Sequence, residues 1–245
     1  MYEGVCMRNL VVQALCKITP NTTKTEEQVP LQNDVYDLYK QIQAESHYTH
    51  KKNIKGDWDY VLLEKDVNHP FEIFQNTFKR VAELWKEGDT NILFFGLDTI
   101  TVKPVEIFGK YEDFMMFNYT DPKSNSIYKN NFNCDVRYYP ASMDEALIDH
   151  SLEEQSKLQK WEDEQNIYNY MLWQQPNRTL ENTVDPTLAY QGHMLFSHTT
   201  HRQLEESNKW NNCKFDDAKI IHLHGSRSAK EKLQLIQIWK KHYGI

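Results

Sequence analysis

The chain has 245 residues, 40% of them hydrophobic and 26% charged, with a formal net charge of −7. This length fits one globular domain with a sizeable core, and no apolar run approaches the roughly 18 residues that cross a bilayer, so we expect no integral membrane segment. The acidic balance argues against a nucleic-acid binder, because phosphate neutralisation requires an excess of Lys and Arg.

The first hundred residues alternate between strand and helix patterns. Apolar runs predict strands, and apolar residues spaced three or four apart predict helices. The alternating order is typical of an α/β fold with a mostly parallel sheet. In chain order, the predicted elements are a strand at 10–18, a helix at 34–44, a strand at 57–63, a helix at 70–88 and a strand at 91–95.

The second half of the chain has a more mixed pattern. The sequence contains no internal repeat and no linker rich in Gly, Pro or Ser, so we expect a single domain over residues 1–245. The predicted strands lie at 113–119, 134–139, 188–195 and 218–223, and the predicted helices at 143–158, 162–173 and 230–242.

The cysteines and the N-terminal residues indicate the cellular compartment in which the protein is expected. The four cysteines, at positions 6, 16, 134 and 213, lie far apart and form no Cys-x-x-Cys pair. Reduced thiols are therefore expected, and a zinc knuckle is not. The N-terminal residues also lack the apolar segment and the cleavage site of a secretory signal. Both observations favour a cytoplasmic protein.

The most informative stretch is NILFFGLDTITVKP, at 91–104. Its apolar strand stops at Gly96 and is followed by a single carboxylate, Asp98. The α/β folds bind ligands beyond the carboxyl ends of parallel strands, where an acid can meet a charged ligand. An ordinary turn with a solvated aspartate is an equally good interpretation of this stretch alone. Other motifs in the chain are therefore needed to distinguish a ligand site from an ordinary turn.

The last predicted strand leads into a second group of polar residues. His222 lies at the end of the strand, Gly225 follows, and Arg227 and Lys230 stand at the start of the next helix. An imidazole can complete a metal shell, a glycine lets the backbone approach closely, and basic residues at a helix start attract phosphate. This combination favours a pyrophosphate bridged to a divalent metal, whereas a His-x-His pair alone is more often structural.

Two further segments carry acids and amides suited to sugar hydroxyls. Glu164, Gln165 and Asn169 lie on consecutive turns of a predicted helix. Asn133 and Asp135 stand at the start of a predicted strand. Acids near a helix start also offset its dipole, and Asn and Asp are common in turns. Each segment alone is therefore open to a structural interpretation.

In their order along the chain, these motifs resemble those of GT-A-fold glycosyltransferases, most closely the glycogenin-like and lipopolysaccharide-galactosyltransferase-like group. That family has a D-x-D-T motif with a basic residue sixteen positions before it, and Arg80 stands sixteen positions before Gly96. The resemblance extends over residues 8–235. The remaining motifs are F-N-x-G at 132–135, D-Q-x-x-x-N at 164–169 and I-H-x-x-G-x-x-K from position 221 onward.

The resemblance implies a GT-A (Rossmann-like) domain with a mixed, mostly parallel sheet flanked by helices. Residues 1–104 would form the nucleotide-binding half, and residues 105–245 the half that binds sugar and acceptor. The implied reaction transfers a sugar from a nucleotide-diphosphate sugar, above all a UDP-sugar, to a glycan, lipid or protein acceptor. The implied cofactor is Mn²⁺ or Mg²⁺.

The resemblance also implies roles for individual residues. Asp98 and His222 would hold the metal. Glu164 would stand close to the anomeric carbon and support an oxocarbenium-like transition state, with Gln165 beside it. The implied nucleotide-sugar-binding residues are Arg80, Gly96, Leu97, Asp98, Asn133, Asp135, Gly225, Arg227 and Lys230.

Three residues depart from the family pattern. Gly96 replaces the first aspartate of the D-x-D motif, Asp135 replaces a glycine, and Glu164 replaces an aspartate. The lost carboxylate predicts a weakened metal site, which Gly96→Asp would strengthen. It also supports an alternative, a catalytically degenerate GT-A domain that binds a nucleotide or glycan without turnover. An unrelated doubly wound protein, such as a nucleotidyltransferase, is disfavoured because the chain has no Gly-rich phosphate loop.

Overall fold

The computed structural model describes residues 7–18, 33–67, 70–119, 131–157, 167–168, 170–171, 174, 189–192, 201–209, 211, 213–223 and 228–245. Its strands are β1 (Arg8–Ile18), β2 (Asp59–Val67), β3 (Thr90–Phe95), β4 (Thr99–Thr101), β5 (Met115–Tyr119), β6 (Asn131–Tyr139), β7 (Ala189–Gln191) and β8 (Ile220–His222). Its helices are α1 (Asn33–Asn53), α2 (Pro70–Lys86), α3 (Glu145–Ser156), α4 (His201–Asn208) and α5 (Ala229–His242). None of these helices is both long and apolar enough to cross a bilayer.

A five-stranded sheet in the order β2-β1-β3-β6-β5 carries most of the core. Strands β1, β2 and β3 are parallel, β6 is antiparallel to β3, and β5 is antiparallel to β6. Helix α2 presents Phe78, Val81 and Trp85 to one face of the sheet, at the spacing that places side chains on one side of a helix. Apolar residues including Leu93 and Phe95 pack on the opposite face. Burial on both faces explains the uninterrupted apolar run of β3.

A three-stranded sheet in the order β4-β8-β7 begins directly after β3. Strand β4 runs antiparallel to β8, so that Thr99 lies opposite His222, and β7 runs parallel to β8. Helices α1 and α5 pack against this sheet through an apolar cluster that includes Ile42, Ile221 and Trp239. The pairing of β4 with β8 holds the residue before β4 next to the end of β8.

The predicted fold class is confirmed: a mixed sheet, mostly parallel in its first strands, is flanked by helices. The alternating elements of the first hundred residues are present, and the later elements lie within or beside their predicted ranges. Helix α4 was not predicted, because it is short and mostly polar. The helix predicted at 162–173 falls largely outside the described residues.

Helix α1 continues to Asn53, well beyond its predicted end at residue 44. The extension contains four buried polar residues, which interrupt the apolar spacing: Ser46, Thr49, His50 and Asn53. The Ser46 hydroxyl donates to the Thr99 carbonyl at 2.5 Å, and the His50 ring lies 2.7 Å from the Thr101 hydroxyl. These side chains are buried because β4 supplies their hydrogen-bond partners, which a local sequence pattern does not reveal.

The buried imidazole of His50 is held in its neutral form. The ring stacks on Phe95 with centroids 4.0 Å apart, and His47 lies on the preceding turn of α1. Burial, assisted by the charge of His47, lowers the pKa of His50 from 6.5 to about 3. Folding therefore excludes a proton that the unfolded chain would bind at mildly acidic pH.

Lowering the pH from 7 to 5 is expected to reduce the free energy of unfolding by about 2 kcal/mol through His50. The stabilisation is fully present above the unfolded pKa of 6.5 and is lost as the pH falls toward the folded pKa of about 3. Urea unfolding at both pH values measures the loss in the native chain and in His50→Gln, which does not titrate. His150→Gln, at an exposed position on α3, is the matched control. Equal losses in the native chain and His50→Gln would contradict the prediction.

Candidate metal centre

Three side chains able to bind a metal meet where the two sheets adjoin. Asp98 lies between β3 and β4, Asp135 lies in β6, and His222 is the last residue of β8. His222 Nε2 is 3.1 Å from Asp135 Oδ2 and 3.4 Å from Asp98 Oδ1. One ligand atom from each residue lies within 4.8 Å of the other two. Two carboxylates and one imidazole therefore face a common point.

Backbone hydrogen bonds at the strand ends set these positions. The amide of Leu223 donates to the carbonyl of Asp98 at 2.8 Å, which continues the pairing of β4 with β8. The amide of Gly96 donates to the carbonyl of Asp135 at 2.6 Å, which continues the pairing of β3 with β6. The register of two strand pairs thus determines where the three side chains lie.

A buried lysine adds a positive charge to this centre. Lys232, near the start of α5, is 8% exposed, and its Nζ lies 2.5 Å from Asp98 Oδ2. Helix α5 begins after Ser228, whose hydroxyl accepts a hydrogen bond from the Glu231 amide as an N-cap. Asp98 consequently directs one oxygen toward Lys232 and the other toward His222.

The charges at the centre keep one another ionised. Burial opposes the charge on Asp98, yet Lys232 and His222 hold the pKa of that carboxyl well below its ordinary value. Burial also opposes the charge on His222, yet Asp135 and Asp98 raise the pKa of its imidazole. Asp98 similarly raises the pKa of Lys232. A metal that binds here would displace the imidazole proton, since a histidine binds metals in its neutral form.

The donor set fits a divalent cation. Carboxylate oxygens suit Mg²⁺ and Mn²⁺, and the imidazole favours a transition metal such as Mn²⁺ over Mg²⁺. Ligand atoms at right angles on one ion, with bonds of about 2.1 Å, stand about 3 Å apart. The separations of 3.1 and 3.4 Å from His222 Nε2 come close to that spacing.

The structure describes some of the other residues predicted from the sequence, and the rest lie outside the described segments. Arg80 is exposed on α2 and bonds to Glu83 at 3.0 Å, with Glu87 at 3.8 Å. Lys230 is exposed in the first turn of α5. Gly96 and Leu97 precede Asp98 in the same turn, and Asn133 lies in β6 with its side chain not described. The residues outside the described segments are Glu164, Gln165, Asn169, Gly225 and Arg227.

Lys232 is a contact residue of this centre that the sequence motifs did not indicate. The family segment H-x-x-G-x-x-K, counted from His222, places its lysine at position 228, where this chain has Ser228. Lys232 follows four residues later, one helical turn along the same face of α5. The helical period was therefore the signal that could have identified it.

Two solved structures align with almost the whole chain. One is a glycosyltransferase involved in the glycosylation of the major capsid of PBCV-1, with a TM-score of 0.53, 12% identity, and coverage of 94% of this chain and 99% of that chain. The other is an active-site mutant of LgtC, with a TM-score of 0.47, 12% identity, and coverage of 94% and 95%. No protein-family model and no curated protein matches the sequence. The similarity to the PBCV-1 enzyme shows that the chain has the predicted GT-A glycosyltransferase fold.

Proposed function

We propose that the chain is a glycosyltransferase that uses a nucleotide-diphosphate sugar and a divalent cation, Mn²⁺ or Mg²⁺. The observation that carries this proposal is the meeting of Asp98, Asp135 and His222 within a glycosyltransferase fold. Asp98 and His222 lie just beyond or at the carboxyl ends of β3 and β8, where folds of this kind bind ligands. The resemblance of the D-x-D-like and I-H-x-x-G segments supports the same assignment.

Asp98 and His222 would hold the cation, which supplies positive charge to the departing diphosphate when bound. Asp98 Oδ1 is the oxygen directed toward His222, because Oδ2 bonds to Lys232. Lys232 is therefore a positioning residue, which fixes the rotation of the carboxylate and adds a positive charge behind it.

The remaining roles follow the family resemblance. Lys230 is exposed at the start of α5 and would contact the diphosphate together with Arg227. Arg80 would contribute only after exchanging its ion pairs with Glu83 and Glu87 for the donor. The residues proposed to contact the sugar or the nucleotide are Gly96, Leu97, Asn133, Glu164, Gln165 and Gly225.

A UDP-sugar is the proposed donor, and a glycan, a lipid or a protein the proposed acceptor, in a protein proposed to be cytoplasmic. A second candidate function is a degenerate domain that binds a nucleotide or glycan without turnover. Gly96 favours it, because the D-x-D motif has lost its first acid at this position.

Calorimetric titrations of UDP-, GDP- and CMP-sugars, with and without Mn²⁺, test both functions when combined with an assay of donor hydrolysis. A glycosyltransferase is expected to bind one donor in a Mn²⁺-dependent manner and to hydrolyse it slowly, because water can replace the acceptor. Binding without hydrolysis or transfer would favour the degenerate domain. Failure to bind any donor in the presence of Mn²⁺ would contradict the glycosyltransferase and would leave only a degenerate domain that binds a glycan.

A further inference from the structure

The space beside Gly96 is filled by the side chain of Asp135. A Cβ atom at Gly96 would lie 2.8 Å from Asp135 Oδ1, 3.0 Å from Asp135 Cβ and 3.1 Å from Asp135 Cγ. Carbon atoms of side chains do not approach other groups so closely without displacement. A side chain at position 96 and the present position of Asp135 therefore exclude each other.

Backbone conformation does not explain the glycine at position 96. The described glycines with positive φ are Gly56, Gly88, Gly109 and Gly244, and Gly96 is not among them. Another residue could adopt its backbone conformation without the penalty of the left-handed region. What a side chain at this position would meet is Asp135, and a glycine leaves room for it.

Positions 96 and 135 are neighbours across two paired strands. Phe95 lies opposite Val136 in the antiparallel pairing of β3 with β6, and the Gly96 amide donates to the Asp135 carbonyl at 2.6 Å. A Cβ atom at position 96 would lie 3.0 Å from Asp135 Cβ, closer than the roughly 5 Å that is usual for facing side chains across antiparallel strands. A carboxylate on β6 can therefore reach the region that a carboxylate following β3 would occupy.

We propose that Asp135 is a third ligand of the cation and supplies from β6 the carboxylate that position 96 lacks. The inference rests on the cation site of the proposed function. The D-x-D motif has an acid at position 96 and the F-N-x-G motif a glycine at position 135, and this chain has exchanged the two. Asp135 Oδ2 is closer to His222 Nε2, at 3.1 Å, than Asp98 Oδ1 is, at 3.4 Å.

This exchange changes two expectations drawn from the sequence. It assigns Asp135 to the cation, whereas the motif order assigned it to sugar hydroxyls. It also reverses the expected effect of Gly96→Asp, because the new side chain would push Asp135 away from His222. The centre retains two carboxylates and one imidazole, so the loss at position 96 does not by itself imply a weak metal site.

Calorimetric titration with Mn²⁺ alone, without donor, tests the exchange. Asp135→Asn and Asp135→Gly are each expected to lower the affinity for Mn²⁺ by about tenfold or more. Gly96→Asp alone is expected to bind Mn²⁺ no more tightly than the native chain. The double variant Gly96→Asp with Asp135→Gly is expected to bind at least about fivefold more tightly than Asp135→Gly, because the two positions are coupled.

Asp98→Asn is the variant that distinguishes failure of this inference from failure of the proposed function. Asp113→Asn is the matched control, because Asp113 is another aspartate that follows β3 in the chain. Loss of Mn²⁺ binding in Asp98→Asn with native affinity in Asp135→Asn would overturn the role of Asp135 and leave the proposed cation site intact. A native chain that binds no Mn²⁺ would overturn both the role of Asp135 and the proposed cation site.

Should Gly96→Asp fail to fold, recovery of folding and Mn²⁺ binding in the double variant would support the exchange. A double variant no better than Asp135→Gly would overturn it.

Discussion

Asp98→Asn is expected to lower the affinity for Mn²⁺ by about a hundredfold and to abolish Mn²⁺-dependent binding of the donor. The substitution keeps the shape of the side chain and removes its charge. The Asp98 side chain is only 14% exposed, so little water is available to compensate for the lost negative charge. Calorimetric titration of Mn²⁺, then of the donor in the presence of Mn²⁺, measures both effects. His222→Ala is expected to act in the same direction.

Asp89→Asn is the control for this prediction, because it places the same substitution at an exposed position immediately before β3. It is expected to keep native affinity for Mn²⁺. The Asp98 variant also leaves the Lys232 ammonium without its carboxylate partner, so circular dichroism must confirm that it is folded. Unchanged donor affinity and metal dependence in both Asp98→Asn and His222→Ala would refute the site.

Lys232→Met is expected to destabilise the metal-free protein by about 3 kcal/mol. Methionine matches the length and apolar stem of lysine, but it leaves the buried Asp98 carboxylate without the ammonium that lies 2.5 Å from it. A bound cation would restore part of the lost positive charge. Saturating Mn²⁺ is therefore expected to raise the unfolding midpoint more in Lys232→Met than in the native chain, as measured by urea unfolding with and without the ion.

Lys241→Met, at an exposed position in the last turn of the same helix, is the control for the loss of a lysine as such. It is expected to change the unfolding free energy by less than about 0.5 kcal/mol and to respond to Mn²⁺ as the native chain does. The prediction fails if Lys232→Met is as stable as the native chain without metal, or if Mn²⁺ stabilises both to the same extent.

The parts of the fold that were predictable are those whose signal is local. The apolar run of β3 and the three- and four-residue spacing of Phe78, Val81 and Trp85 in α2 follow from the side of each element that is buried. The spacing of apolar residues did not predict the end of α1, because Ser46 and His50 are buried there although they are polar. Their burial depends on hydrogen-bond partners in β4, some fifty residues away along the chain.

In the candidate site, too, only the residues with a local sequence signal were predictable. Asp98 and His222 were recognisable because each stands at or just beyond a predicted strand end, which is where α/β folds bind ligands. Lys232 and the position of Asp135 were not recognised, because each depends on which strand or helix packs beside Asp98 and in which register.

The amino-acid order alone thus specified the α/β class, the succession of elements and the two residues that face each other at the ends of β3 and β8. Long-range pairing decided the rest. The pairing of β3 with β6 places the Asp135 carboxylate in the space beside Gly96, and the packing of α5 brings Lys232 to Asp98. Hydrophobic periodicity records only which face of an element is buried, whereas convergence of charged groups depends on contacts between residues that are distant in the chain.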